Sequence, residues 1–250
     1  MERAMGAEPI TAALLVIGDE ILSGRTKDKN IGHIAERLTE IGVDLREVRV
    51  VSDVEAHIVD ALNALRARFT YVFTTGGIGP THDDITADAV AKAFGVSIDV
   101  DPRARAMLLE YLAEKDLNAA RLRMARIPAG ADLIVNSVSK APGFKIGNVY
   151  VMAGVPRIMH AMLEAVIPTL KTGAPMLSET VRANAREGDI AAPLAEIALR
   201  FPDVAIGSYP FMDDTGPNTN IVVRSRSRDR VNAARDAVAE MVGAQMVGAQ

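Results

Sequence analysis

Apolar and polar positions in the N-terminal part of the chain repeat one pattern three times. A strand-like segment is followed by apolar residues at helical spacing. Residues 12–17 (AALLVI) are apolar throughout, which is typical of a strand that is covered on both faces. The predicted strands are 12–17, 43–51 and 69–75, and the helices that follow them are 31–41, 52–65 and 87–94.

This alternation of strand and helix predicts the fold class. Repeated strand and helix units pack as a mainly parallel sheet with helices on both faces. Ligands of such sheets bind beyond the carboxyl ends of the strands. Gly18 and Gly76 each begin a loop directly after a predicted strand. We therefore expect the two loops to share one edge of the sheet and to form one composite site.

Shorter elements are predicted in the middle of the chain. Asp101 and Pro102 are the cap and first-turn proline of a further helix, and a short helical piece follows at 118–124. Strands are predicted at 133–136, 143–146 and 149–152, and a helix begins at Pro156.

A linker composition at residues 171–175 (KTGAP) indicates a domain boundary, which we place between residues 1–172 and 173–250. The predicted order beyond it is strand 177–183, helix 189–200, strands 204–209 and 220–225, and helix 229–242. That order predicts a small α+β domain of the split βαβ type.

The composition narrows the class of protein. The chain has 250 residues and a net charge of −4, so nothing in it demands a nucleic acid partner. It has no cysteine, which excludes disulfides, cysteine zinc sites and thiol nucleophiles. No apolar run reaches the roughly 18 residues of a membrane span, and residues 1–9 lack the apolar segment of a secretory signal. We therefore expect a cytoplasmic protein with no membrane partner.

The loop after the third predicted strand carries the densest chemistry. It reads TTGGIGPTHDDIT and combines three glycines, a proline, hydroxyls and two adjacent carboxylates. Glycines allow backbone N–H groups to approach a phosphate, and we expect those of Gly76, Gly77 and Gly79 to hold one. The alternative is a tight strand-to-helix turn with Asp84 or Thr86 as the helix cap. A turn needs one or two of these residues rather than all of them, which favours a site.

Carboxylates that follow predicted strands are candidates for a metal site. Glu20, Asp53, Asp83 and Asp84 all lie at the same predicted edge. A hard cation such as Mg²⁺ takes oxygen ligands and keeps waters and substrate phosphates, so one or two of these side chains suffice. Asp53 has an equally good alternative role beside a helix start. His82 lies in the same loop, and both a phosphate contact and a plain surface position stay open for it.

Several common catalytic motifs do not occur in the chain. It contains neither a Walker A loop nor a G-x-S-x-G elbow. Its Gly77-Ile78-Gly79 run lacks the third glycine of a dinucleotide fingerprint. These absences disfavour a kinase-like NTPase, a serine hydrolase and a Rossmann dehydrogenase.

Four sequence blocks resemble those of a known family. They are IGDEILSG (17–24) with Asn30, TGGIGPTHDDIT (75–86), NAAR to PAGA (118–131) and APGF (141–144). Through them, residues 10–172 resemble the molybdopterin-binding-domain superfamily, and within it the N-terminal domain of the CinA competence/damage-inducible proteins. That domain is also related to the molybdopterin-binding-like half of eukaryotic FAD synthases. The last two blocks distinguish CinA-like proteins from the shorter molybdenum-cofactor enzymes.

The resemblance implies a three-layer α/β/α fold that binds the phosphate of a nucleotide or pterin at residues 76–86. It gives Asp84 the position of the acid that family enzymes need for chemistry, and Asp53 that of a second functional acid. The catalytic candidates are Asp84, Asp83 and Asp53, and the metal candidates are Asp84, Asp83 and Glu20. The substrate-binding candidates are Gly18, Asp19, Glu20, Ser23, Gly24, Asn30, Thr75, Gly76, Gly77, Gly79, Pro80, Thr81, Thr86, Gly154 and Pro156.

The activity that the resemblance implies is that of a metal-dependent pyrophosphatase. CinA-type domains are similar to enzymes that cleave ADP-ribose or a similar dinucleotide. We expect Mg²⁺, Mn²⁺ or Co²⁺ as the cofactor, molybdopterin as a further candidate ligand, and a homo-oligomer, either dimer or trimer, that takes a small phosphorylated ligand. Two alternatives stay open: a non-catalytic module that binds molybdopterin or a nucleotide, and adenylyl transfer onto molybdopterin.

Two departures from the family pattern matter. The family often has Pro-Gly-Pro-Pro where this chain has Ala153-Gly154-Val155-Pro156, at a ligand-facing turn. CinA proteins also commonly carry a nicotinamide mononucleotide deamidase domain, for which 250 residues leave no room. We therefore expect no deamidase activity.

Overall fold

A computed structural model describes residues 9–214 and 216–248 of the chain, which divides between Gly173 and Ala174 into two compact units. The prediction that residues 1–9 are not a secretory signal concerns mainly residues 1–8, which lie outside the described residues. None of the helices in the described ranges combines the length and the hydropathy needed to cross a membrane.

The first unit alternates strands and helices and ends in a hairpin and a helix. Its elements are β1 (Thr11–Ile17), α1 (Asp19–Leu22), α2 (Asn30–Glu40), β2 (Asp44–Val51), α3 (Glu55–Arg66), β3 (Tyr71–Thr75), α4 (Thr86–Phe94), β4 (Ile98–Val100), α5 (Pro102–Leu109), α6 (Ala119–Leu122), β5 (Arg126–Pro128), β6 (Asp132–Ile134), β7 (Gly143–Ile146), β8 (Val149–Met152) and α7 (Pro156–Val166).

Six of these strands form one mixed sheet in the order β2-β1-β3-β8-β7-β6. The first four are parallel to one another, whereas β7 runs antiparallel to both β8 and β6. The strands β4 and β5 pair separately. The carboxyl ends of β1, β3, β8 and β6 therefore point to the same edge of the sheet. The predicted mainly parallel α/β fold is confirmed.

Each face of this sheet is covered by helices because both faces of its central strands are apolar. Val72 in β3 packs into one core with Ile58 of α3. The next residue, Phe73, points the other way and packs into a second core with Leu38 of α2 and Met159 of α7. This arrangement gives the three predicted layers and explains why the strands read as continuous apolar runs.

The structure differs from the prediction at the end of β6, where side-chain hydrogen bonds of Asn136 take the place of strand pairing. The strand predicted at 133–136 ends at Ile134, because Val135 is 56% exposed and the fully buried Asn136 begins a turn. The Asn136 Oδ1 accepts the N–H of Val138 at 2.9 Å, and its Nδ2 donates to the Ala141 carbonyl at 3.0 Å. The elements α1, β4 and β5 were not predicted, since segments of three or four residues carry too little periodicity.

The second unit consists of β9 (Leu177–Ala183), α8 (Glu187–Arg200), β10 (Ala205–Asp213), β11 (Gly216–Ser225) and α9 (Arg228–Gly248). The strand β11 lies between β9 and β10 and is antiparallel to both. The unit β9-α8-β10 is thus a pair of parallel strands with a third strand inserted between them. The prediction of a split βαβ unit is confirmed.

Candidate functional site

A cavity of about 560 Å³ opens at the edge of the sheet where β1, β3, β8 and β6 end. Its wall includes Glu20 after β1, residues 76–80 and Asp84 after β3, residues 153–156 after β8, and Asn136 and Ser139 after β6. The volume lies within the roughly 300–1,000 Å³ typical of small-molecule sites. The loops that were expected to share this edge therefore do line one cavity, which is the candidate site.

The candidate residues divide into those that line this cavity and those that do not. The wall contains Glu20, Gly76, Gly77, Gly79, Pro80, Asp84, Gly154 and Pro156. A side cavity of about 60 Å³ is lined in part by Glu20, Gly154 and Pro156 and adds Asn30 and Thr75. The remaining candidates, which line neither cavity, are Gly18, Asp19, Ser23, Gly24, Asp53, Thr81, Asp83 and Thr86.

Two glycines after β3 hold the loop in a conformation that a side chain would prevent. Gly76 has a φ of 103°, and a Cβ on it would lie 2.1 Å from the Ile17 carbonyl oxygen. Gly77 has a φ of 66°, and a Cβ on it would lie 2.2 Å from the Thr86 Oγ1. The loop is thus pressed between the end of β1 and the start of α4.

Some backbone N–H groups of this loop are hydrogen-bonded and others are not. The Gly76 N–H donates to the Met152 carbonyl at 3.2 Å, so it is not available to a phosphate as we expected. In the described part of the chain, the N–H groups of Gly77, Ile78 and Gly79 have no hydrogen-bond acceptor. All three residues line the cavity. Since unpaired backbone donors attract anions, this stretch is the phosphate-binding candidate.

Thr86 acts as an anchor for the loop rather than as a wall residue. Its hydroxyl donates to the Gly76 carbonyl at 3.0 Å, and its N–H donates to the Gly77 carbonyl at 3.0 Å. The residue before α4 is Ile85, and neither Asp84 nor Thr86 makes a side-chain cap there. The alternative interpretation of this loop as a capped turn therefore does not account for the two carboxylates.

Asp84 is oriented by its own loop and keeps one oxygen free. Its Oδ2 accepts the Thr81 N–H at 2.8 Å and also the Thr81 hydroxyl. No donor within the described residues reaches Oδ1. A Cβ on Gly79 would lie 2.6 Å from Oδ2, so only a glycine at that position lets the carboxylate lie where it does. Thr81 lies outside the cavity but positions the acid.

Asp53 and Asp83 are close to the site without lining the cavity. The Asp53 Oδ2 accepts the Asp19 N–H at 2.8 Å, which ties the loop after β1 to β2. Burial raises the pKa of Asp53, and the charges of Asp19, Glu20 and Asp83 raise it further, against the hydrogen bond from Asp19. The Asp83 carboxylate is exposed, and the Thr81 hydroxyl lowers its pKa. His82 is fully exposed.

Asn30 and Thr75 present buried oxygens to the side cavity. The Asn30 Nδ2 donates to the Gly154 carbonyl at 2.8 Å, which joins α2 to the turn after β8. Its Oδ1 and the Thr75 Oγ1 are buried and have no partner within the described residues. An unpaired buried acceptor costs about 1–3 kcal/mol. A donor group of a ligand would remove that cost.

Residues 13–172 match the family described as a probable molybdopterin binding domain. The chain belongs to this family. The crystal structure of the protein CinA from Thermoplasma acidophilum, whose function is described as unknown, resembles this molybdopterin binding domain with a TM-score of 0.61 and 35% identity. The likeness covers 64% of this chain and 97% of that one. The predicted membership of the superfamily and the predicted likeness to CinA are both confirmed.

Two longer relatives extend the comparison. A CinA-like protein from Desulfosudis oleivorans is 38% identical over 168 residues, which cover 64% of this chain and 41% of that protein. A probable FAD synthase from Caenorhabditis elegans is 30% identical over 263 residues, covering 95% of this chain and 51% of that protein. Residues 175–250 match the middle domain of FAD synthase. The chain thus spans about half or less of these two relatives.

The sequence analysis did not predict the part of the cavity wall that follows β6. Asn136 and Ser139 line the cavity, and the Asn136 Nδ2 donates to the Ser139 Oγ at 2.7 Å. The rule that loops at carboxyl strand ends form the site applies here too, because β6 runs parallel to β8. The polar residues that follow Ile134 indicated a loop, but the strand was predicted to continue to residue 136. Thr26, which also lines the cavity, was not predicted, whereas Arg123 was considered with Arg121 and Arg126 as an arginine that could steer anions.

The acids of this molybdopterin binding domain do not form a complete metal site. The described residues contain no group of three or more histidine, aspartate or glutamate side chains that could hold an ion. Glu20 and Asp84 are the carboxylates of the cavity wall. A hard cation that keeps waters and phosphate oxygens needs only one or two carboxylates. The residues present therefore fit a cation that arrives with a phosphorylated ligand.

Proposed function

We propose that the chain binds a phosphorylated nucleotide or pterin in the main cavity and, with a divalent cation, hydrolyses the pyrophosphate of ADP-ribose or a similar dinucleotide. One observation carries the proposal: unpaired N–H groups at residues 77–79 and the free oxygen of Asp84 belong to the same cavity. In the reaction, water adds to one phosphorus and the bond from that phosphorus to the bridging oxygen breaks. ADP-ribose and water would give AMP and ribose 5-phosphate.

Each group on the wall has a part in this reaction. The N–H groups of Gly77 and Gly79 would hold a phosphate, because backbone donors offset negative charge without reorganising. The buried oxygens of Asn30 and Thr75 would accept hydrogen bonds from N–H or O–H groups of the ligand. Apolar wall residues such as Met162 and Ile158 would pack against a ring. Together these features support a ligand with both a ring and a phosphate.

Glu20 and Asp84 would hold the cation, either Mg²⁺, Mn²⁺ or Co²⁺, together with phosphate oxygens. When bound, a divalent cation offsets phosphate charge and lowers the pKa of water. Asp84 is suited to this role because Thr81 fixes its Oδ2 and leaves Oδ1 free. Asp53 would instead hold the loop after β1 in place through Asp19.

The name of one relative supports a nucleotide substrate. The probable FAD synthase of Caenorhabditis elegans matches 95% of this chain. FAD is a dinucleotide whose two halves are joined by a pyrophosphate, as are the two halves of ADP-ribose. This likeness supports a dinucleotide as the ligand, and a measurement of products distinguishes its cleavage from adenylyl transfer onto molybdopterin. A homo-oligomer, dimer or trimer, is part of the proposal and would be measured by light scattering.

A non-catalytic molybdopterin or nucleotide carrier is the second candidate function. The described residues provide no group of three metal-ligating side chains, and a binding module needs none. The glycine loop does not separate the two functions, because binding and catalysis both use its N–H groups. Only a measurement of products separates them.

The deciding experiment incubates the protein with ADP-ribose, FAD or a dinucleotide polyphosphate and each of Mg²⁺, Mn²⁺ and Co²⁺, and measures mononucleotide products. Asp84→Asn should lower turnover by roughly a hundredfold or more, since stabilisation of developing charge is worth several kcal/mol. The amide oxygen of the new side chain can still accept the Thr81 N–H, so folding should be unchanged.

The matched control is Asp60→Asn, which makes the same change on the exposed side of α3. It should leave turnover as in the wild type. Unchanged hydrolysis in Asp84→Asn would contradict the assigned role of Asp84. If the wild type forms no product with any cation, the carrier function replaces the proposed hydrolase.

A further inference from the structure

Arg123 carries a positive charge that no carboxylate neutralises among the residues described. It lies in the short 3₁₀ helix Arg123–Ala125, and its Nη2 donates to the Asp84 carbonyl at 3.1 Å. Its Nε is buried without an acceptor. The nearby Arg126 differs, because both oxygens of Asp88 accept its hydrogen bonds, at 2.6 and 2.8 Å. A partly buried guanidinium with an unused donor is costly unless something binds it.

The position of Arg123 relates this charge to the glycine loop. Arg123 lines a recess of about 20 Å³ whose wall also contains Gly77, Gly79 and Asp84. These three residues line the main cavity as well, so the recess adjoins it. A space of that size holds about one water-sized atom. It suits a single oxygen of a larger group that lies in the main cavity.

We infer that Arg123 and the N–H groups of Gly77 and Gly79 form a phosphate subsite, with one phosphate oxygen in the recess and the phosphorus in the main cavity. The inference rests on the proposed function for the class of ligand, a nucleotide with a pyrophosphate. Arginine suits this role because its planar guanidinium binds phosphate with several charge-assisted hydrogen bonds. Without it, no cationic side chain among the described residues of the cavity wall would offset the charges of Asp84 and Glu20 beside a phosphate.

The same guanidinium also connects the subsite to the proposed catalytic acid. It holds the backbone carbonyl of Asp84 through Nη2 and leaves Nε for the phosphate oxygen. Phosphate and carboxylate would therefore be positioned by one side chain. This double contact explains why an arginine with several donors, rather than a lysine, suits the position.

The test titrates inorganic pyrophosphate, with EDTA present, into the wild type, Arg123→Gln and Arg121→Gln by calorimetry. Arg121 is the matched control: it lies two residues away and donates to the Asp116 carbonyl at 2.6 Å, but it lines neither the cavity nor the recess. The Kd should rise about tenfold or more in Arg123→Gln, as expected for loss of a charge-assisted hydrogen bond. In Arg121→Gln it should stay within about twofold, as expected for an exposed charge.

Circular dichroism of each variant shows whether the fold is kept. If Arg123→Gln does not fold, Arg123→Lys is compared with Arg121→Lys, and only the first should weaken pyrophosphate binding, since lysine keeps the charge but lacks the buried Nε. Equal Kd values for the folded Arg123 and Arg121 variants, or no binding of pyrophosphate by the wild type, would overturn the subsite.

Hydrolysis is scored separately. If pyrophosphate binding depends on Arg123 but no dinucleotide is cleaved, the subsite stands and the proposed function fails. If the wild type cleaves ADP-ribose and Arg123→Gln does so with an unchanged KM, the subsite fails and the function stands.

Discussion

Gly76→Ala tests whether the glycine loop is pressed against β1 as the structure indicates. A Cβ on Gly76 would lie 2.1 Å from the Ile17 carbonyl oxygen, which is backbone and cannot rotate away. The φ of 103° adds a second cost, because side chains rarely adopt it. A strained φ costs about 1–3 kcal/mol and overpacking about 1–3 kcal/mol, so the free energy of unfolding should fall by roughly 2–6 kcal/mol. The total free energy of unfolding of a domain is about 5–15 kcal/mol.

Gly24→Ala provides the control that isolates the two costs. Gly24 has a φ of 72°, but a Cβ on it would meet nothing within 4 Å. This variant should show only the cost of the strained φ. Urea unfolding is followed by near-ultraviolet circular dichroism, because the chain has no tryptophan and the buried Tyr71 and Tyr150 report on the first unit. The free energies of unfolding of the two variants are then compared.

The result that would refute the reasoning is equal stability of the two alanine variants. It would mean that the loop can move away from Ile17 at no cost, so that the close approach to β1 does not fix it. If Gly76→Ala is the less stable variant, its affinity for pyrophosphate should also fall. The N–H groups of Gly77 and Gly79 cannot keep their positions when the loop shifts.

Two further predictions concern titrating groups. Because the folded protein raises the pKa of Asp53 above its ordinary 3.8, the ionised carboxylate lowers stability once the pH is above that value. Asp53→Asn should therefore be at least as stable as the wild type at pH 7, and it should be no more stable than the wild type near pH 4. Asp53→Ala also loses an acceptor for the Asp19 N–H, so its free energy of unfolding in urea should be lower by about 1–3 kcal/mol. Burial and the stacked His33 lower the pKa of His160 below 6.5, against the charge of Glu164, so wild-type stability should decline as the pH falls below 6.5. His160→Phe keeps a stacked ring without a proton to bind, and thermal melts at pH 8 and pH 5.5 should show a smaller decline; the same decline in both proteins would exclude His160 as its source.

The sequence predicts most of the fold because the apolar composition of the central strands indicates that they are buried. β1 is apolar on both faces, and so is β3 over Tyr71 to Phe73, which does not suit surface strands. The helices that follow them repeat apolar residues at helical spacing. Once a parallel sheet is inferred, the rule for carboxyl strand ends brings Glu20, Gly77 and Asp84 to one edge, and these residues do line one cavity.

The direction in which each acid points could not be predicted from the sequence. Asp83 and Asp84 are neighbours in one loop, yet only Asp84 faces the cavity, because Thr81 binds its Oδ2 and Gly79 leaves room for it. Asp53 follows a strand as expected, but a backbone N–H from another loop takes its carboxylate. These contacts join residues that are distant in sequence or depend on the path of a turn. No periodic pattern encodes them.

Under the proposed function, binding and chemistry fall to different groups of the cavity and its recess, so substitutions can separate the two. Unpaired N–H groups and Arg123 attract phosphate, whereas Asp84 and Glu20 repel it. A cavity that only carried a nucleotide would gain affinity from losing either carboxylate. The Thr81 contacts instead hold Asp84 beside the glycine loop, where a Cβ on Gly79 would lie 2.6 Å from its Oδ2. If the proposed function is correct, this repulsive group is held in a fixed orientation because its charge is needed, with a cation, for the cleavage step, and the measurement of products decides between this function and the carrier.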